Sequence, residues 1–396
     1  MSTPLPISSD RERLHGLDAL RGIALLLGLV VHGSMAFLPG AQYFWVVHDP
    51  EPSPWLGLAF YVPHMFRMLL FFVLAGFFGR LLLNRLGTVG FLKDRGKRIA
   101  LVLLAAWPIV MSGIVAVIVV GGMLVDPGVA PASAPPGPAF TPDDFPLTHL
   151  WFLYVLMFCY SAMLALRAAL RRLDRGGVLT RAADASMRVL GAPVGPFLLA
   201  IPLALALFHS EGWYHWFGIP TPDRTLYANV PAWVAFGSAF VFGWWLHRQP
   251  ALLERWARQW PLHLVLAIGA TIACLVQVGL NSPAVPAPAD ATTLGYALVY
   301  ALGGWSWTFA LIGLSMRFMS GHSPARRTLA DASYWIYLAH IPVVMALQLV
   351  ASRMPGPASL KFVLVVGFTL GLLLLAYRSF VRRTWIGVWL NGRRRP

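Results

Sequence analysis

Leu17-Asp18-Ala19-Leu20-Arg21-Gly22-Ile23-Ala24-Leu25-Leu26-Leu27-Gly28-Leu29-Val30-Val31-His32 opens the first long apolar stretch of the chain. Between Arg21 and His32 every residue is apolar or glycine. In a helix this spacing is about three turns, so the two side chains share a face roughly 16 Å apart along the axis. An ionisable residue inside a membrane helix costs about 2.5–3.5 kcal/mol on insertion scales. Two on one stripe predict a polar cavity or a site inside a helix bundle.

The rest of the chain extends this reading. Of its 396 residues, 58% are hydrophobic and only 12% charged, against about 25% charged in soluble domains. Apolar runs near the length that spans a bilayer cover roughly 17–39, 58–83, 99–125, 148–170, 192–209, 229–247, 262–280, 294–318, 330–350 and 360–380. The fold class expected is an all-α, polytopic integral membrane bundle of about ten transmembrane helices. The N-terminus is polar and the first apolar run is too long for a signal-peptide core, so no cleaved leader is expected. No soluble insertion or short-period repeat is visible, and residues 1–396 read as one membrane domain with short tails at about 1–16 and 381–396.

The formal charge of +15 raises a nucleic-acid partner, but its distribution argues against one. With the N-terminus in the cytoplasm, most Lys and Arg fall in inside segments, among them Arg11, Arg13, Lys93, Arg95, Lys97, Arg98, Arg171, Arg172, Arg326, Arg327 and Arg393 to Arg395. The outer side keeps Arg224, Arg353 and Lys361 and is otherwise acidic, with Asp49, Glu51, Asp126, Asp143, Asp144, Glu211, Asp223 and Asp290. This positive-inside pattern predicts that both termini are cytoplasmic. Cys159 and Cys274 both fall in apolar helices and read as buried hydrophobes rather than a disulfide or metal pair.

Two outer loops carry unusual composition. Residues 126–147 hold Pro127, Pro131, Pro135, Pro136, Pro138, Pro142 and Pro146, and 281–290 repeat the theme with Pro283, Pro286 and Pro288. Such segments are extended or irregular rather than helical. The loop 210–228 is aromatic, with Trp213, Tyr214, Trp216, Phe217 and Tyr227. It reads as an interfacial belt or, second, as a carbohydrate-stacking surface.

Polar residues cluster unevenly. His64 and Arg67 stand at i and i+3 and share a face of the second helix. His64 lies in its outer part, at the depth where an antiparallel first helix would place His32. The alternatives are a structural polar contact or a functional site, and two His with two Arg favour the site. Phe91-Leu92-Lys93-Asp94-Arg95-Gly96-Lys97-Arg98 precedes the third run. By composition alone it is a positive-inside anchor, and the functional alternative is a phosphate-binding patch. His149-Leu150-Trp151 opens the fourth run, and Tyr337 and His340 are i, i+3 neighbours in the ninth. There is no Walker loop, dinucleotide-binding glycine turn, HExxH or Cys-rich metal motif. Metal-independent acid–base chemistry by histidine fits best.

Taken together, these phrases resemble the acyltransferase 3 family of membrane acyltransferases. They are Arg21-x10-His32, His64-x-x-Arg67 followed by Phe-Phe-Val-Leu-Ala-Gly-Phe-Phe, Arg95-x-x-Arg98, His149-Leu-Trp-Phe-Leu and Ser333-Tyr-x-x-Tyr-x-x-His340. Ala75 stands where the family usually has Ser. The first hundred residues are most similar to the glucan biosynthesis protein C subgroup. The resemblance implies a multi-pass enzyme of the bacterial inner membrane. It would take an acyl group, succinyl or acetyl, from cytoplasmic acyl-CoA to hydroxyls of a periplasmic glucan or another cell-surface polysaccharide. It further implies His32 as general base, His64 in proton transfer and Arg67 on the oxyanion or an acyl carboxylate. Arg21, Arg95 and Arg98 would meet the CoA phosphates and pantetheine arm, and His149, Trp151, Tyr337 and His340 would support the site. A proton-coupled carrier is the competing class, since buried His and Arg suit it as well. Oligomeric state stays open.

Overall fold

A long apolar run leaves no water for its backbone, so its N–H and C=O groups must pair internally, and helices do this within one segment. The computed structural model describes residues 10–124, 138–281 and 286–391. Among these residues the regular structure is helical, apart from one isolated bridge between Thr141 and Asp144. Pro127, Pro131, Pro135, Pro136, Pro283 and Arg393 to Arg395 lie outside the described residues.

The helices are α1 (Asp10–Ser34), α2 (Gly57–Arg95), α3 (Leu101–Met123), α4 (Trp151–Leu173), α5 (Val178–Leu190) and α6 (Gly195–Phe208). There follow α7 (Val230–Ala232), α8 (Ser238–Leu246), α9 (Pro250–Val278), α10 (Ala291–Phe318), α11 (Pro324–Ala351), α12 (Ala358–Ala376) and α13 (Trp385–Asn391). A π turn at Trp233–Gly237 joins α7 and α8 into one apolar helix.

Each of the ten apolar runs falls on a helix, yet length and composition single out fewer spans. Among the described residues seven helices are long and apolar enough to cross a membrane, or eight if a bent pair is one span. The runs 58–83 and 99–125 belong to one helical stretch, Pro54–Met123, interrupted at Gly87 (φ 67°, ψ 177°) and by a π turn at Gly96–Ala100. Helix α6 has 14 residues and reaches spanning length only with α5, from which it bends by 102°. The Val230–Leu246 helix is shorter than a span.

Helix α1 is central and packs on α2, α10, α11 and α12, while α2 also packs tightly on α8. The α2–α8 crossing depends on two glycines. A Cβ on Gly76 would meet the Phe240 carbonyl oxygen at 2.1 Å, and one on Gly243 would meet that of Val73 at 1.8 Å. Without a hydrophobic drive between helices in lipid, such close backbone approach supplies the packing energy.

The bundle has two distinct ends. At one, Tyr334 donates to the Arg98 carbonyl (2.6 Å) and Trp389 to that of Lys97 (2.6 Å), joining α11 and α13 to the basic turn before α3. At the other, the loops after α1, before α4 and before α7 interlock. Phe145 N–H donates to the Arg224 carbonyl, Leu226 N–H to that of Pro142, and Phe44 packs edge-on against Phe217. The first is the basic end of the bundle and the second its loop end.

Candidate functional site

A cavity of about 620 Å³ lies between α1, α2, α3, α4 and α11, under the loop end. Two helical stripes form its walls. Helix α1 contributes Ala24, Leu25, Gly28, Val31 and His32, with Met35 just beyond its end, and α2 contributes Phe60, His64, Arg67, Met68 and Phe71. These are the i, i+4, i+7 rows expected of a helix face, and His32 of the Arg21–His32 stripe is among them. Arg21 itself is the next turn toward the basic end and does not line the cavity. His149, Trp151, Tyr337 and His340 do, so seven of the sequence-predicted residues meet in one chamber.

Three histidines from three helical elements stand in a row. The His32 and His340 ring centroids are 5.2 Å apart, and His340 and His149 are 4.9 Å apart. His340 Nδ1 faces the Tyr337 carbonyl at 2.7 Å. A carbonyl only accepts, so Nδ1 carries the proton and the lone pair sits on Nε2. His149 Nε2 donates to the Leu338 carbonyl at 3.3 Å, and its own carbonyl accepts from the Tyr337 hydroxyl at 2.8 Å. Proline explains why Leu338 is available. Pro342 lies inside α11, four residues on, and has no N–H to give that carbonyl. Just before His149, Thr148 holds a left-handed φ of 52°, an uncommon state for a β-branched residue. Its N–H is tied to the Asp223 carbonyl at 2.9 Å. Among the described residues no His, Cys, Asp and Glu grouping has metal-site geometry.

The cationic group is Arg67. A Cβ on Gly28 would stand 2.7 Å from its Nη1, so the guanidinium occupies the notch that glycine leaves in α1. Arg67 Nε, His32 Nδ1, His64 Nδ1 and His340 Nε2 are buried without a hydrogen-bond partner. Buried polar atoms are usually satisfied, and these four orphans all belong to residues that line one chamber.

Sequence reasoning did not single out Gln348, Trp45, Asp49 and Lys361 as site residues. Gln348 is fully buried, donates from Nε2 to the carbonyls of His32 (2.9 Å) and Gly33 (3.1 Å), and accepts the Trp45 indole N–H (2.8 Å). Trp45 in turn stacks on His32 at 5.9 Å. Lys361 and Asp49 form a buried ion pair of 2.8 Å that ties the loop after α1 to α12. A Gln in a ninth apolar run was the available signal for the first pair, but neither partner could be read from local spacing.

Arg21, Arg95 and Arg98 gather at the basic end instead. Arg21 pairs with Asp18 at 2.8 Å, Arg98 with Asp94 at 3.1 Å, and Arg95 also pairs with Asp94. Arg21 is close enough for its charge to act on both Arg98 and Tyr160. Asp94 partly neutralises the patch. The aromatic loop divides: Trp213 and Trp216 are buried, 3% and 1% exposed, Phe217 lines the cavity, and Tyr214 and Tyr227 are exposed. Trp213 is held by its indole bond to the Gly218 carbonyl (2.6 Å), and Trp216 stacks on Phe60. At the cavity mouth, burial pushes the Asp223 carboxyl above the ordinary range, opposed by the Thr221 hydroxyl. Nearby Asp144 is held low by the Ala139 N–H, with Arg224 assisting. Both cysteines are buried and free.

A family model described as an acyltransferase domain matches residues 14–378. The chain belongs to the acyltransferase 3 family. Its members' name and the helical architecture make it a multi-pass membrane acyltransferase. This acyltransferase is similar to proteins named glucans biosynthesis protein C. It is 36% identical to those of Shigella boydii serotype 4 (strain Sb227) and Escherichia coli (strain SMS-3-5 / SECEC), and 35% identical to that of Escherichia coli O157:H7 (strain EC4115 / EHEC). Each match runs over 104 residues and covers 26% of this chain and 26% of the relative. The similarity thus spans about a quarter of those relatives. No solved structure matches.

Proposed function

We propose that this acyltransferase moves an acyl group, succinyl in the first instance, from cytoplasmic acyl-CoA to hydroxyls of a periplasmic glucan across the bacterial inner membrane. One observation supports this most directly: His32, His64, Arg67, His149 and His340 converge on a single chamber that lies toward the loop end. His32 acts as general base on the acceptor hydroxyl. The alkoxide attacks the thioester carbon, the C–S bond breaks, and the thiolate recovers the proton. Arg67 stabilises the tetrahedral oxyanion or grips the succinyl carboxylate, for which a guanidinium fork is suited. His64, one turn along α2 from Arg67, assists proton transfer.

The donor would enter from the basic end. Arg95 and Arg98 would hold the CoA phosphates with the N–H groups that Asp94 leaves free, and Arg21 would guide the pantetheine arm. Arg21 is separated from Ala24 and Leu25, the innermost α1 residues of the cavity, by about one helical turn, roughly 5 Å. Glucan would reach the chamber past Trp45, Phe217 and Asp223. The positive-inside pattern supports this orientation, and the names of the partial relatives support glucan as acceptor.

The experiment is mass analysis of periplasmic glucans from a deletion strain complemented with wild type or His32→Ala. Loss of the succinyl mass increment in the deletion, restored by wild type and not by His32→Ala, is the expected result. Loss of an acetyl increment would redirect the donor, and unchanged glycans with substrate flux through proteoliposomes would favour a carrier. Arg95→Ala with Arg98→Ala should raise the KM for acyl-CoA, and an unchanged KM would return both to a membrane-anchoring role.

A further inference from the structure

We infer that His32 and His340 work as a hydrogen-bonded dyad, with His340 Nε2 accepting the His32 Nδ1 proton so that His32 Nε2 faces the cavity with its lone pair. This rests on the reading of His32 as general base and adds what sets its tautomer. Tyr337 C=O fixes the proton on His340 Nδ1 at 2.7 Å, which makes His340 Nε2 an obligatory acceptor. That nitrogen is buried and unpartnered, and so is His32 Nδ1. The two rings are 5.2 Å apart by centroid and tilted by 45°. His340 is held by its Tyr337 bond, so the dyad requires the His32 ring to turn about its soft terminal torsion until Nδ1 comes within hydrogen-bond range of His340 Nε2. Both rings line the cavity, and of the His32 nitrogens only Nδ1 is a buried orphan, which leaves Nε2 to the chamber.

Two side chains, Gln348 and Trp45, hold His32 in place. Gln348 fixes the last turn of α1 through the His32 and Gly33 carbonyls, and Trp45 stacks on the outer side of His32. When the acceptor hydroxyl gives its proton to His32 Nε2, the Nδ1 proton shifts toward His340 Nε2. The positive charge then spreads toward the Tyr337 carbonyl and away from Arg67, which faces the same cavity. As the C–S bond breaks, the Nε2 proton passes to the thiolate and the dyad returns to its neutral state. His340 is thus a positioning residue, the role a carboxylate or carbonyl plays behind a catalytic histidine elsewhere.

The test is the ¹⁵N spectrum of the full-length protein, labelled at histidine and held in lipid nanodiscs at alkaline pH. The His32 signals are identified by their loss in His32→Phe. A protonated Nδ1 with an unprotonated Nε2 is expected, and the opposite tautomer in wild type overturns the dyad without any variant of His340. His340→Leu should lower kcat about a hundredfold, in the range of a lost acid–base contribution, with KM for both substrates little changed. His340→Gln, which keeps an acceptor oxygen, should recover at least tenfold of that loss. Equal kcat in the Leu and Gln variants overturns the assignment. The tautomer measurement does not depend on which acyl group or glycan is used, so failure of the substrate reading and failure of the dyad give separate results.

Discussion

The Arg67 guanidinium sits in a notch of α1 made by Gly28, with Nη1 2.7 Å from where a Cβ would be. Gly28 is one turn from His32, so the notch sets how close the cation comes to His32. A methyl at position 28 meets the far end of a flexible side chain, which can yield at little cost in stability. Gly28→Ala should leave the melting temperature of the purified protein within a few degrees and lower transfer at least tenfold, because the guanidinium is displaced from the oxyanion position. Wild-type kcat in Gly28→Ala would remove Arg67 from the chemistry.

Pro342 has a comparable role at a distance. By withholding an N–H from the Leu338 carbonyl, it leaves that oxygen to orient His149. Pro342→Ala restores the helical donor, and the carbonyl then has two suitors. The variant should be as stable as wild type or more so by thermal unfolding, since an interior proline is removed, yet slower in transfer. A fall in both stability and activity would point to ordinary packing damage instead.

The stripes on α1 and α2 were legible because each lies within one helix, where the period alone places Arg21, Gly28 and His32, or His64 and Arg67, on one face. His149, Trp151, Tyr337 and His340 were legible as motifs, but their meeting in one chamber was not. Contacts between Gln348 and His32, or Asp49 and Lys361, join residues more than 300 positions apart, and no local pattern encodes them. Each of the ten apolar runs lies on a helix, but where one helix ends and the next begins was not legible. Hydropathy measures apolar length, whereas Gly87, the bend between α5 and α6 and the short Val230–Leu246 helix divide that length differently. In the aromatic loop, composition cannot say that Trp213 and Trp216 face inward while Tyr214 and Tyr227 face out.

The Asp49–Lys361 pair makes a stability prediction independent of catalysis. Both side chains are nearly inaccessible, 0% and 6% exposed. Removing one partner strands a buried charge, at a typical cost of about 3–5 kcal/mol. Lys361→Met should therefore unfold at much lower temperature than wild type in the same detergent. The double variant Asp49→Asn with Lys361→Met leaves no charge behind and should recover most of the loss. A double variant as unstable as the single would show that Asp49 is held by other contacts.

Asp223, at the cavity mouth, gives the pH prediction. Burial raises its carboxyl above the unfolded value, so the folded state binds this proton more tightly than the unfolded chain. The sign follows from linkage: the folded state is favoured while both forms are protonated, and this advantage disappears as pH rises from the unfolded value through the raised folded one. Asp223→Asn keeps an acceptor oxygen for the Thr221 hydroxyl, which bonds the carboxylate at 2.9 Å, and cannot ionise. Its thermal stability relative to wild type should therefore be unchanged in acid and increase across that window toward neutrality. A stability difference that is flat with pH would mean that the Asp223 carboxylate is solvated at the mouth rather than opposed by burial.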